Sequence, residues 1–451
     1  MAGKRPINAD APAAETAPTQ AQEKLRAGVT PPPSPPGQPG SRKRLPFALK
    51  AIGATVLLAV VFIIAAILGG RGGGEQGTSA GPVAPAGGEQ APAKAHSAAA
   101  AQTAEELGYP SFATKNTTRV GGSDPASNAA AIALATFPST AAGLAPAAVT
   151  LVGEEDWQGA IAASVLMAAP VRSPILISTP DGLPDTTASA LDALDPQGDR
   201  STHGARELAI GDVAGFADAA QTRAVGPGDP ASTAAAIARL RDRLFGSAPA
   251  HIVLVSAQDP GFAMPAAAWA ARSGDPVLFT EPEGLPAATR AVLRRHSHVP
   301  VYVLGPPSTV SARVMRQVEA IGNATKRVAG EDPVSNAIAL ARYSNDGFGW
   351  NVNDPGHGFV IARSDSPLDA AAAAPLSASG TWGPLLLTDS SDTLPKALRA
   401  YLLDVKPGYT SDPTRAFYNH VWIIGDQEAI DVNQQAEIDN LAELTQIGGR
   451  P

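Results

Sequence analysis

The chain has 451 residues, 44% of them hydrophobic but only 5% aromatic, and it contains no cysteine. That length holds about two to four domains with a core of small, close-packed side chains, and the missing cysteine excludes disulfides, thiolate metal sites and cysteine nucleophiles. The net charge of −8 is uneven: residues 1–50 carry eight Lys/Arg and three Asp/Glu, a net of +5, which leaves −13 on the other 401 residues, a balance that argues against a nucleic-acid partner.

Residues 1–45 include PPPSPPGQPG and few apolar side chains; they are expected to form a disordered tail. Residues 51–70 read AIGATVLLAVVFIIAAILGG, twenty positions without a charge. That is the length of a bilayer-spanning helix. The basic flank SRKRLPFALK precedes it, so residues 46–70 are expected to be a membrane helix with its flank, the N-terminus cytoplasmic and the bulk of the chain outside. A cleaved signal peptide fits less well, because the basic region is too long and no A-x-A site follows at once. Residues 71–108, rich in Gly, Ala and Pro, read as a flexible linker with a reach of roughly 30–35 Å.

From residue 109 onward the sequence repeats itself. RVGGSDPASNAAAIA at Arg119 recurs as RAVGPGDPASTAAAIA at Arg223 and RVAGEDPVSNAIALA at Arg327, with the aspartates at 124, 229 and 332. The period of about 104 residues is that of a small domain rather than a solenoid repeat. Each copy continues with a first strand (VTLVG, HIVLVSA, GFVIAR), an Ala-rich helix and a second strand (PILIST, PVLFTE, PLLLTD). A further helix and a third strand follow (ELAIGD, VYVLGP, VWIIGD). Strands alternate with helices, and the strand runs are continuously apolar, as when both faces of a parallel sheet are covered. The pattern predicts three tandem α/β units at 109–222, 223–326 and 327–451, each with a short parallel sheet.

The glycine-containing turns lack G-x-G-x-x-G and G-K-[ST], so a phosphate loop is not supported. Asp124, Asp229 and Asp332, each followed by Pro, read instead as helix caps. No H-E-x-x-H occurs, neither catalytic nor metal-ligating residues are assigned, and no cofactor is expected. His296 and His298 read as a solvated helix end rather than a metal pair. Asp365 and Asp369, four apart, share a helix face, but the other units have no equivalent pair. Arg119, Arg223 and Arg327 stand before the three turns. If the units pack about a pseudo-threefold axis, the guanidiniums can converge on an anionic ligand; otherwise they form ordinary surface or inter-unit ion pairs.

These repeats resemble the cell wall-binding repeat 2 family. The likeness spans residues 119–445 and is carried by RVAGEDPVSNAIALA, the Pro-Ile-Leu-Leu-like strands at 174–177, 276–279 and 384–387, and VWIIGDQEAI. It implies a pseudo-trimer of Rossmann-like units that holds a protein to a cell-wall polymer, a teichoic-acid-like or other anionic glycan. The sequence departs from the family where Pro follows each capping Asp, and where the family's Asp-Ala-Leu step survives only as Asp369-Ala370-Ala371. The expected protein is a single-pass envelope protein that contacts the bilayer through residues 51–70, faces the wall and acts by binding rather than catalysis. The alternative is an extracytoplasmic sensor of small solutes or sugars, with ligand loops at 153–157, 256–262 and 362–368 and with Trp157 and Phe262 stacking on a sugar.

Overall fold

The computed structural model describes residues 112–137, 145–215, 221–226, 228–378 and 383–448. The expected tail, the membrane segment 46–70 and the linker 71–108 lie outside the described residues. Among the described residues no helix is long and apolar enough to cross a membrane.

The described chain opens with β1 (Phe112–Ala113), β2 (Thr117–Val120) and helix α1 (Pro125–Thr136). Next come β3 (Val149–Gly153), α2 (Trp157–Ala163), β4 (Ile175–Ser178), α3 (Asp185–Leu194) and β5 (Glu207–Ile210), the last followed by a 3-10 turn at Gly211–Gly215. The order then recurs as β6 (Thr222–Val225), α4 (Pro230–Phe245), β7 (Ile252–Ser256), α5 (Pro260–Ser273), β8 (Val277–Thr280), α6 (Ala287–Arg295) and β9 (Val301–Leu304). Here a helix, α7 (Ala312–Glu319), stands where the earlier unit has the 3-10 turn. The third stretch runs β10 (Thr325–Val328), α8 (Pro333–Arg342), β11 (Gly358–Arg363), α9 (Pro367–Ala372), α10 (Ala374–Ala378) and β12 (Leu385–Thr388). It ends with α11 (Lys396–Asp404), β13 (Gly408–Tyr409), β14 (His420–Ile424), α12 (Val432–Ala442) and β15 (Thr445–Gln446).

Three sheets share one strand order: β4-β3-β5-β6, β8-β7-β9-β10 and β12-β11-β14-β2, the last widened by β1. Every pairing among the first four strands of each sheet is parallel, and only β1 runs antiparallel to its neighbour. The central strands are buried along their length, which accounts for their unbroken apolar runs.

The pairing moves three strands across the boundaries expected from sequence. Arg223 and Arg327 were placed at the heads of their own units, yet β6 pairs with β5 (Arg223 opposite Leu208) and β10 pairs with β9 (Arg327 opposite Val303). Each sheet is therefore completed by the strand that leads into the next unit. The third sheet is completed by the chain's own beginning, since β2 pairs with β14 and Arg119 lies opposite Ile423. Asp439 of α12 reinforces this closure by accepting from Asn116 N at 2.7 Å and from the Thr114 hydroxyl, and Lys115 pairs with Glu443.

The helices after the three first strands, α2, α5 and α9, pack against one another in all three pairings. Their contact faces are nearly all alanine: Ala160, Ala162 and Ala163, then Ala263 and Ala266 to Ala268, then Ala370 to Ala373, all buried. Small side chains let helix axes approach closely, so the Ala-rich, aromatic-poor composition forms the middle of the molecule. The aromatic residues concentrate beside the second sheet, where Tyr302 and Phe348 stack at 3.8 Å and Trp269 leans on Phe348 at 4.8 Å.

Candidate functional site

The three repeated aspartates are committed to helix starts. Asp124 accepts from Ser127 N at 2.9 Å and Ser127 Oγ at 2.7 Å. Asp229 accepts from the amides of Ala231 and Ser232, both at 3.1 Å, and Asp332 from Ser335 N at 2.8 Å. Proline follows at the first helical position in each case. These bonds satisfy first-turn amides that have no partner within the helix.

The three arginines lie on the closing strands of three different sheets. Arg119 is 1% exposed. It donates to the carbonyls of Gly425 (3.0 Å), Asp426 and Ile430 and to Gln435 Oε1 (3.0 Å), tying the turn after β14 to α12. Burial lowers its pKa from the ordinary arginine value, and the nearby Asp426 and Asp431 oppose that shift. Arg327 does the same for the turn after β9, donating to Gly305 O and Val310 O. Arg223 is half-buried and its Nε has no hydrogen-bond partner. The structure thus puts the three arginines on three different sheets, with Arg119 and Arg327 each holding a turn.

The glycines before the caps also acquire a reason. Gly121 has φ +124°, and a Cβ there would stand 2.2 Å from Asn128 Oδ1. A Cβ on Gly330 would stand 2.3 Å from Asn336 N. In the first case the close approach serves a hydrogen bond, because Asn128 Oδ1 accepts from Gly122 N at 2.8 Å. The other end of Asn128 crosses to the third unit and donates to Asp369 Oδ1 at 2.8 Å. Burial pushes the Asp369 carboxyl up to about 6, against the pull of the Asn128 bond. Asp365, four residues earlier, pairs instead with Arg363 at 2.7 Å. The two carboxylates therefore do different jobs, and Asp369 is a junction residue that the repeat pattern alone did not reveal.

At the carboxyl ends of the second sheet lies an open cleft of about 380 Å³. Ala257, Phe279 and Leu285 make its apolar floor, and Asp229 and Glu281 stand on its rim. Trp157 of the first unit meets Phe279 edge-on, centroids 5.7 Å apart. Its ring is thus engaged in packing between units. Phe262 is half-buried, and its carbonyl accepts from Asn336 Nδ2 at 3.3 Å. With two carboxylates at its mouth, this cleft disfavours anions.

The histidines have structural partners. His251 Nδ1 lies 3.1 Å from Asp275 Oδ2, which also accepts from Trp269 Nε1 at 2.9 Å, and His251 Nε2 meets the Asp346 carbonyl at 3.1 Å. Both ring nitrogens are occupied, and Asp275 raises the histidine's pKa. The His296–His298 pair, expected to be solvated, divides: His296 is buried against Asp242 at 2.9 Å, while His298 is exposed. Among the described residues no group of three or more His, Asp or Glu side chains could hold a metal ion.

Charge is distributed by unit. Residues 119–222 carry four Lys/Arg and twelve Asp/Glu, and residues 327–451 carry eight and sixteen. Residues 223–326 carry eleven and seven, a net of +4 between two neighbours at −8. The overall acidity had concealed this local excess of cations.

Residues 225–315 and 327–434 match the family described as Cell wall binding domain 2 (CWB2). Among solved structures, Cwp6 from Clostridium difficile is similar with a TM-score of 0.59 and 19% identity, over 73% of this chain and 48% of that one. Cwp8 from Clostridium difficile is similar with a TM-score of 0.55 and 20% identity, over 77% of this chain and 55% of that one. The chain spans about half the length of these two proteins, and at such identities the likeness is one of fold. No curated protein sequence matches it. Residues 225–315 and 327–434 are thus similar to cell wall binding domain 2, and the assembly of sheets is similar in fold to Cwp6 and Cwp8.

Proposed function

We propose that this chain is a non-catalytic protein of the bacterial cell envelope whose folded part binds a cell-wall polymer. The single observation that carries the reading is the match of residues 225–315 and 327–434 to a wall-binding domain family. The three sheets then act as three wall-binding-type units of Rossmann-like build about a pseudo-threefold axis. The mutual packing of α2, α5 and α9 and the closure of β2 onto β14 support that arrangement. Arg119, Arg327 and the three capping aspartates hold turns at the surface of the fold. The segment 51–70 anchors the chain with its N-terminus inside and the units facing the wall, an assignment that rests on the uncharged run and its basic flank.

The test is retention of the full chain on purified envelope fractions at low and high salt. Retention that weakens with salt is the expected outcome for an anionic polymer; absence of retention on every fraction overturns the reading. Release of soluble fragments from the polymer during the same incubation would overturn the non-catalytic part. Protease treatment of intact spheroplasts should digest the folded part and spare the tail if the orientation is right.

A small-solute reading is favoured by one feature, the apolar-floored cleft against the Trp157–Phe279 contact. Saturable binding of a neutral sugar that is lost in Phe279→Ala, with wall retention absent, would establish it instead.

A further inference from the structure

The cations of the second unit gather on one face. Helices α4 and α6 pack side by side, and their C-terminal halves present Arg239, Arg243, Arg294 and Arg295, all exposed. Arg239 and Arg243 are one helical turn apart and so lie on the same stripe. The two helix ends are fixed to each other through Asp242. Its side chain, 10% exposed, takes His296 Nε2 at 2.9 Å, Arg295 Nε at 3.5 Å and Arg241 Nη1 at 3.3 Å. The acid closest to the face is therefore sunk beneath it and shared among His296 and two arginines. Asp275, at the same end of the sheet, is 1% exposed and bound to His251 and Trp269, and the exposed acids there, Glu319 and Asp346, are engaged by Thr325 and Lys326. Arg239, Arg243 and Arg294 form no ion pair among the described residues, and Arg295 keeps its side chain 55% exposed despite its contact with Asp242.

Helix dipoles alone favour a cation or two at a C-terminus, but they act on every helix of the fold. In the first unit the matching stretch of α3 ends on Asp192 and Ala193, and in the third α11 ends on Leu403 and Asp404. Arg294 and Arg295 are therefore particular to the second unit, whereas Arg239 has a counterpart in Arg342 of the third, which is paired with Asp404. All four arginines stand away from the cleft at the carboxyl ends of the strands, where Asp229 and Glu281 repel anions.

We propose that Arg239, Arg243, Arg294 and Arg295 form the contact through which this chain holds an anionic wall polymer with repeating phosphate or carboxylate groups. Planar guanidiniums bind such oxygens in pairs, and a cluster of them concentrates a polyanion locally although the whole chain is acidic. The proposal rests on the wall-binding reading and assigns it a site.

The experiment titrates the full chain, in micelles of an uncharged detergent, with polyglycerol phosphate, polygalacturonate and phosphatidylglycerol vesicles. The wild type should bind at least one of the two polymers with a salt-dependent affinity. The variant R239E/R243E/R294E/R295E should bind that polymer at least about tenfold more weakly and with a smaller salt slope, while its thermal midpoint stays near that of the wild type. Arg→Lys at the same four positions should retain most of the binding. Equal binding by the Glu variant, no binding of either polymer by the wild type, or tighter binding to vesicles than to polymer overturns the proposal. Wall sacculi separate the two readings. Equal retention of the wild type and the Glu variant on sacculi overturns the arginine face and leaves wall binding intact. Binding of free polymer through the four arginines with no retention on sacculi supports the face and overturns the wall-binding role.

Discussion

In the second unit the turn after the third strand runs into helix α7, and Arg327 from the next strand binds that turn at Gly305 and Val310. In the first unit the described residues of the same stretch form the 3-10 turn Gly211–Gly215, and Arg223 leaves its Nε buried without a partner. The two units share a strand order, but only the second matches the wall-binding family, together with the third. They also differ by twelve charges, −8 against +4. The difference teaches that the repeated scaffold and the ligand-facing chemistry vary separately. The first unit keeps the sheet and its share of the central helix packing, whereas the clamped turn and the positive face belong to the second.

The sharpest break of this comparison is expected at the arginines. Arg119→Ala removes a buried guanidinium and leaves three carbonyls and Gln435 without their donor; the expected cost is about 3–5 kcal/mol. Arg223→Ala removes a side chain that clamps nothing among the described residues, and should cost under about 1 kcal/mol. Urea denaturation of the two variants measures the gap. Equal losses would mean that the first unit is clamped after all.

Much of the scaffold was legible in sequence because the central strands are long apolar runs with helix caps at fixed offsets. Reading VTLVG, GFVIAR and PLLLTD requires no knowledge of the partner strand. The closing strands were not legible. Thr117–Val120 and Thr222–Val225 are short and half polar, and they become strands only by pairing with β14 and β5. For β2 that partner lies some three hundred residues away, and a local hydrophobic pattern carries no trace of it. The same holds for Asn128 and Asp369, which are 241 residues apart. The arginines stand out in sequence as repeated positions, but the repeat carries no sign that Arg119 and Arg327 bind the turns that follow β14 and β9. The positive face was countable from the sequence once charge was taken unit by unit.

The next largest effect concerns the junctions between units. Asp369 is buried against Asn128, while its counterparts by position are Gly159 and Phe262, which do not titrate. Asp124 and Asp365, the charged groups facing it, raise its pKa further, and the folded value is about 6. The unfolded value is about 4, so the native state holds an extra proton between these limits. Stability is therefore greatest below about pH 4 and falls as pH rises through about 6, by up to about 3 kcal/mol. Asp369→Asn keeps an acceptor for Asn128 and removes the titration. Its urea midpoint should fall less than the wild type's from pH 4.5 to 7.5 and should exceed the wild type's at pH 7.5. A wild-type midpoint that rises over that interval, with the other carboxylates unchanged, would contradict this assignment.

The glycine turns sharpen the contrast at an intermediate scale. Gly121→Ala forces a Cβ into Asn128 Oδ1 at 2.2 Å on a backbone at φ +124°, which should cost about 2 kcal/mol. Gly226 has the corresponding place after β6, where an added Cβ meets nothing within 4 Å. Gly226→Ala should lie within about 0.5 kcal/mol of the wild type. Equal tolerance of both substitutions would show that the Asn128 hydrogen bond to Gly122 does not hold the first turn.

The caps should lose less than Arg119, Asp369 or Gly121, and here the units should agree. Asp124, Asp229 and Asp332 each accept from a first-turn amide and from the serine hydroxyl three residues on. Replacing any one by Ala should cost about 1 kcal/mol, read from the same urea curves. Because the bonds are local to one helix turn, neither the charge of the unit nor the state of its arginine clamp should alter the loss. A capping loss at Asp229 well above the other two, accompanied by weaker polymer binding, would instead tie that aspartate to the ligand surface of the second unit. Equal losses with unchanged binding keep all three as helix starts and leave recognition to the arginine face.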